Sequence, residues 1–83
     1  NFDIKKYAED KLIKTKLLAK VFSDNQIKKL KYSFEIQNKK IFIMGISSDE
    51  IELNRVYEHA RSIKGVIDII SYVEIISTDN SDS

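Results

Sequence analysis

The sequence predicts an α+β fold: an αββαβ two-layer sandwich, with two helices on one face of a three-stranded sheet. Three observations carry that expectation. Tyr32, Phe34 and Ile36 alternate with Ser33, Glu35 and Gln37, the period of a half-buried strand. Ile13, Leu17 and Val21 repeat at four-residue spacing, and Leu53, Val56, Ala60 and Ile63 form a second helical stripe. Residues 66–76 are a β-branched run with strand character. Two apolar helix stripes and one apolar sheet face satisfy one another if both helices cover the same side.

Taken in order, residues 1–9 carry Phe2, Ile4, Tyr7 and Ala8 among charges, out of phase with the stripe that begins at Ile13. They are expected to be a linker or the end of a preceding unit. Asp10 is the expected N-cap of a first helix over 10–22. Leu18 and Phe22 border its core stripe, and the opposite side holds Leu12, Thr15 and Ala19. Lys11 flanks that side on one edge, Lys16 and Lys20 on the other. Ser23, Asp24 and Asn25 end the helix.

The first strand spans 32–37. Asn38 and Lys39 form a two-residue turn, which sets Ile36 opposite Ile41 and Phe34 opposite Ile43. Slipping that register by one residue would move each apolar side chain to the wrong face. Gly45 closes the hairpin. Ser47 with Glu50 reads as a capping box for a second helix, and Asp49, Glu50 and Glu52 suit its positive N-terminus. That helix is expected to run to about Ile63, with Tyr57 beside its stripe, and to stop at Lys64 and Gly65. In the third strand Ile69, Ser71, Val73 and Ile75 face the core. Ile70, Tyr72 and Glu74 face outward, as do Phe42 and Met44 of the second strand. Residues 77–83 are polar and acidic and are expected to be a disordered tail.

The 83 residues make one domain with one modest core. The net charge of +1 conceals a division. Residues 1–40 hold eleven Lys against five acids, +6, and residues 41–83 hold three basic residues against eight acids, −5. Such a basic half suits a one-sided anionic partner, although a solvated face needs none.

Enzyme signatures are missing. There is one His and no Cys, so no His or thiolate metal cluster is expected, nor any cofactor. With two Gly there is no Gly-rich phosphate loop. His59 reads as a plain surface His, and the acids at 49, 50 and 52 as helix-start charges rather than ligands. Nucleic acid is disfavoured as a partner, because the exposed aromatics do not interleave with the lysines and there is no GXXG clamp.

Residues 38–45 (NKKIFIMG), 60–66 (ARSIKGV) and 10–17 (DKLIKTKL) together resemble the BON domain family. The likeness covers roughly residues 10–76 and is greatest to the second BON domain of paired-BON outer-membrane lipoproteins of Gram-negative bacteria. Two features depart from the family pattern: Lys39 stands where Gly is usual, and the lead-in to the second helix is one residue longer. The resemblance implies a non-enzymatic module of the periplasm, associated with the outer membrane and supporting its integrity. It also implies binding of anionic phospholipid through the first helix, here Lys11, Leu12, Thr15, Lys16, Ala19 and Lys20. The alternative is a protein-interaction domain that docks a second BON domain or another envelope protein on Phe42, Met44, Ile70 and Tyr72. The chain is further expected to be a piece of a longer protein whose targeting sequence lies elsewhere.

Overall fold

A computed structural model describes residues 2–28 and 31–76. The order is α1 (Ile4–Phe22), β1 (Tyr32–Gln37), β2 (Lys40–Ser47), α2 (Glu50–Arg61) and β3 (Asp68–Ile75). This is the expected α+β arrangement, and the sheet order is β1-β2-β3. β1 and β2 pair antiparallel, with Phe34 opposite Ile43 and Ile36 opposite Ile41, the register read from the alternation. β3 lies parallel to β2 on its other side. A parallel neighbour requires a crossover, and α2 supplies it. The expected tail, 77–83, lies outside the described residues.

One core holds the layers together. It gathers Ile13, Leu17 and Val21 of α1, Phe34 of β1, Ile41 and Ile43 of β2, and Leu53, Val56 and Ala60 of α2. Ile27, Tyr32 and Ile63 close its rim. Ile69 and Val73 pack against it from β3, whereas Ile75, expected to face inward, is substantially exposed at the strand's end.

The first helix begins about two turns earlier than its expected start. Asp3, not Asp10, is its N-cap and accepts from the N–H groups of Lys5 and Lys6 at 3.0 and 3.2 Å. Residues 4–9 therefore belong to α1 rather than to a linker. Their lack of phase with the core stripe reflects a helix that extends past what it covers.

Asp10 has a different task. Its carboxylate accepts from Asn38 N–H at 2.9 Å and Lys39 N–H at 2.8 Å, across the hairpin turn. Asn38 and Lys39 both have positive φ, 53° and 64°. A non-glycine residue with a left-handed backbone is costly. Two charge-assisted hydrogen bonds from α1 offset that cost and explain how the turn forms without the usual Gly.

The second helix also starts differently. Asp49 is its N-cap and accepts from Glu52 N–H at 2.7 Å. Ser47 is buried instead and donates to Asp49 C=O at 2.8 Å. Gly45 is held at φ 140°, where an added Cβ would lie 2.0 Å from the Lys31 carbonyl oxygen. Gly65 takes φ 98° just past α2, so both glycines are backbone requirements.

Candidate functional site

A helix turns 100° per residue, so the side of α1 opposite Ile13, Leu17 and Val21 is fixed by its geometry. That side carries Ile4, Ala8, Leu12, Thr15, Ala19 and Phe22 over about 27 Å. Ile4 is 72 % exposed, Leu12 55 % and Phe22 58 %. Thr15 donates its hydroxyl to Lys11 C=O at 3.0 Å, which removes a polar donor from the strip. Lys5, Lys16 and Lys20 follow one flank and Lys11 the other. Lys11 also lies 5.9 Å from the Tyr7 ring centre, and Tyr7 meets Phe2 with ring centres 5.5 Å apart. Ile4, Tyr7, Ala8, Lys11, Leu12 and Thr15 line a shallow hollow of about 400 Å³.

The structure thus brings together the expected set Lys11, Leu12, Thr15, Lys16 and Ala19 on one exposed side, with Lys20 half-buried at its margin. It adds Ile4, Ala8 and Phe22 to the residues expected from the sequence. Asp3 as a capping residue, with Ile4, Ala8 and Leu12 at four-residue spacing, was the available signal. The core stripe obscured it, because that stripe begins only at Ile13.

A second apolar surface covers the outer face of the sheet. Register places Phe42 beside Ile70 and Met44 beside Tyr72 on adjacent parallel strands. Phe42, Met44 and Ile70 are half-buried and Tyr72 is exposed. Ile46, 47 % exposed, continues the surface.

No family model matches the chain. It is 32 % identical over 72 residues to a protein of Anaplasma centrale described as "uncharacterized protein in gshII 5′ region". The match takes in 87 % of this chain and 48 % of that protein. The chain therefore spans about half the length of this relative.

Two polar clusters join segments that are far apart in the chain. His59, expected on the plain surface, is half-buried, and its Nε2 lies 2.8 Å from Asp24 Oδ2. Arg55 donates to the same buried carboxylate through Nε at 3.0 Å and Nη2 at 3.1 Å. The Arg55 guanidinium above all, with His59 beside it, holds the Asp24 carboxyl well below the usual carboxylate range, against the opposing effect of burial. Sequence spacing gave no warning, since Asp24 lies 31 residues before Arg55 and 35 before His59.

Glu52 anchors the second cluster. It does lie in the first turn of α2, as the sequence suggests, but it is also a buried acceptor. Tyr32 Oη donates to it at 2.7 Å and Lys28 N–H at 3.0 Å, and Ser47 Oγ lies 3.4 Å from its Oε1. Burial, then the hydrogen bond to Glu52, pushes the Tyr32 hydroxyl up to about 12. Among the described residues no group of three or more His, Cys, Asp or Glu side chains could hold a metal ion.

Proposed function

We propose that this chain is a BON-type, non-enzymatic module of the bacterial envelope that binds anionic phospholipid surfaces through α1 and supports outer-membrane integrity. It would act in the periplasm, at the outer membrane. The observation that carries this reading is the lysine-flanked apolar strip from Ile4 to Phe22, outward from the core along the whole helix. The α-β-β-α-β order and the two positive-φ glycines at the resembling segments also support it.

A helix with an apolar strip and a basic border lies in the membrane interface rather than across it. No helix among the described residues is long and apolar enough to cross a membrane. Partial burial of Ile4 and Leu12 contributes about 2 kcal/mol each. Three lysines near an anionic leaflet contribute about 1 kcal/mol each. The attraction is then about 7 kcal/mol before immobilisation, so one domain binds no tighter than a Kd of about 10 μM.

Co-sedimentation with vesicles tests the reading. Wild-type protein should bind vesicles containing phosphatidylglycerol, bind pure phosphatidylcholine far less, and release as salt shortens the Debye length. Leu12→Asp should weaken binding with no change in the melting curve, because Leu12 lies on the side of α1 away from the core. Equal binding to neutral vesicles, or unchanged binding by Leu12→Asp, would refute it.

The Phe42–Ile70 and Met44–Tyr72 pairs favour a second reading, protein docking on the sheet face. Binding by that route should depend on Phe42, Met44 and Tyr72 and tolerate salt.

A further inference from the structure

The sheet has a free edge with a built groove beside it. Ile67 N–H donates to Lys39 C=O, and Ile76 N–H to Ser47 C=O. Odd-numbered residues of β2 therefore address β3, and even-numbered ones address β1. Their partners Ser33, Glu35 and Gln37 use their backbone groups within the hairpin. Phe34 and Ile36 consequently turn their N–H and C=O groups out from the edge. No donor or acceptor among the described residues meets them there. Exposed strand edges are normally blunted by a bulge, a Pro or a covering segment. β1 has neither bulge nor Pro.

Alongside that edge, α1 and β1 enclose two adjoining grooves of about 600 and 370 Å³. Lys14 and Glu35 line both. Leu18 and Phe22 wall one end, while Tyr7 and Ile36 wall the other. Lys14 is half-buried and has no ion-pair partner among the described residues.

We propose that the free edge of β1 takes an extended protein segment as a fourth strand, with an acidic side chain flanked at alternate positions by apolar ones. The backbone of the segment pairs with Phe34 and Ile36, which is strand addition. Side chains on one face of a strand recur every ~6.8 Å. Lys14 and Leu18 are separated by about 6 Å along the helix axis. Successive inward side chains of the added strand therefore meet Leu18 with Phe22, then Lys14, then Ile36 with Tyr7. The middle position sees the Lys14 ammonium group, which makes no ion pair among the described residues, so a carboxylate is favoured there, and apolar side chains fill the ends. Phe22, 58 % exposed at the end of the outward strip of α1, also forms a wall of this site. This inference does not rest on the lipid reading, because Lys14 lies off the outward strip of α1.

The test uses an acetylated heptapeptide of threonine, with leucine second and sixth and glutamate fourth, titrated into isotope-labelled protein. The amide signals of Phe34 and Ile36 should shift, and their hydrogen exchange should slow about tenfold near saturation. Lys14→Glu should weaken binding about tenfold and restore it for the peptide with lysine fourth. Ile36→Pro removes one outward N–H and should abolish binding. If that variant fails to fold by circular dichroism, the Lys14→Glu charge exchange still decides. Unchanged exchange at Phe34 and Ile36 with millimolar peptide would overturn the proposal. So would equal affinity of Lys14→Glu for the glutamate peptide, or perturbation confined to Phe42 and Tyr72. Anionic vesicles without peptide address the lipid reading alone: they should move Leu12 and Ala19 and leave Phe34 and Ile36 unshifted, and their failure to move Leu12 would sink that reading without touching this one.

Discussion

Glu52→Ala should destabilise the domain by about 3–5 kcal/mol, more than most single substitutions outside an apolar core. The figure reflects what Glu52 holds. Its carboxylate accepts from the Tyr32 hydroxyl and the Lys28 amide, at 2.7 and 3.0 Å, in a buried site. Truncation leaves both donors without that acceptor, and each orphaned donor costs about 1–3 kcal/mol. The removed side chain also leaves a void between α2 and the segment entering β1. Tyr32→Phe should cost less, about 1–2 kcal/mol, because the remaining carboxylate still has the Lys28 amide. The pair together should be less destabilising than the sum of the two, since the hydrogen bond is lost once. Urea unfolding monitored by circular dichroism measures all four proteins. The Tyr32 hydroxyl adds a check in alkali. Its folded value is raised to about 12, above about 10 for an unfolded tyrosine. The associated stability is complete below pH 10 and is lost as pH rises toward 12, by about 3 kcal/mol. Tyr32→Phe should lack that loss. A cost below 1 kcal/mol for Glu52→Ala, with parallel alkaline profiles for wild type and Tyr32→Phe, would refute the account.

Asp10→Ala should cost about 1–3 kcal/mol by freeing the turn amides of Asn38 and Lys39, and Lys39→Gly should recover about 1 kcal/mol of it; denaturation midpoints show both. Gly45→Ala should be far worse than Gly65→Ala, because the first has both positive φ and a backbone clash, while the second has only positive φ; thermal melts of the two separate the causes. The Asp24 carboxyl, held low in the folded state, contributes stability above about pH 4 that is lost as pH falls through its depressed value. Asp24→Asn should accordingly be less stable at neutral pH and decline less steeply in acid, as melting points across pH would reveal.

The hairpin was legible because its signal is local and redundant. Alternation, turn length and the pairing of Phe34 with Ile43 all demand one register, and a single slip would break each of them. The core stripes were legible for the same reason. Helix starts were less so, since Asp3, Asp10, Ser47 and Asp49 are all suitable caps and the choice depends on what each carboxylate or hydroxyl reaches in space. Asp10 is taken by a turn 28 residues away. Ser47 is taken by the Asp49 carbonyl, beside the buried Glu52. The Asp24–Arg55–His59 cluster joins residues far apart in the chain, so no periodicity could announce it.

The two stripes of α1 explain why its outer side was only half visible. The core stripe Ile13, Leu17 and Val21 starts where the helix meets the sheet, whereas the outer strip starts at Ile4 and ignores that boundary. The first two turns bury little, and Phe2, Ile4 and Tyr7 remain exposed. Folding alone does not require those side chains to be apolar, because they contribute nothing to the core. Exposed apolar residues standing singly need no reason. Ile4 continues Leu12 on one side of α1 with lysines on both flanks, and that continuity is what the proposed binding of an anionic lipid surface rests on. The strip and the core face away from each other across α1, so the proposed binding and the stability should answer to different substitutions on the same helix.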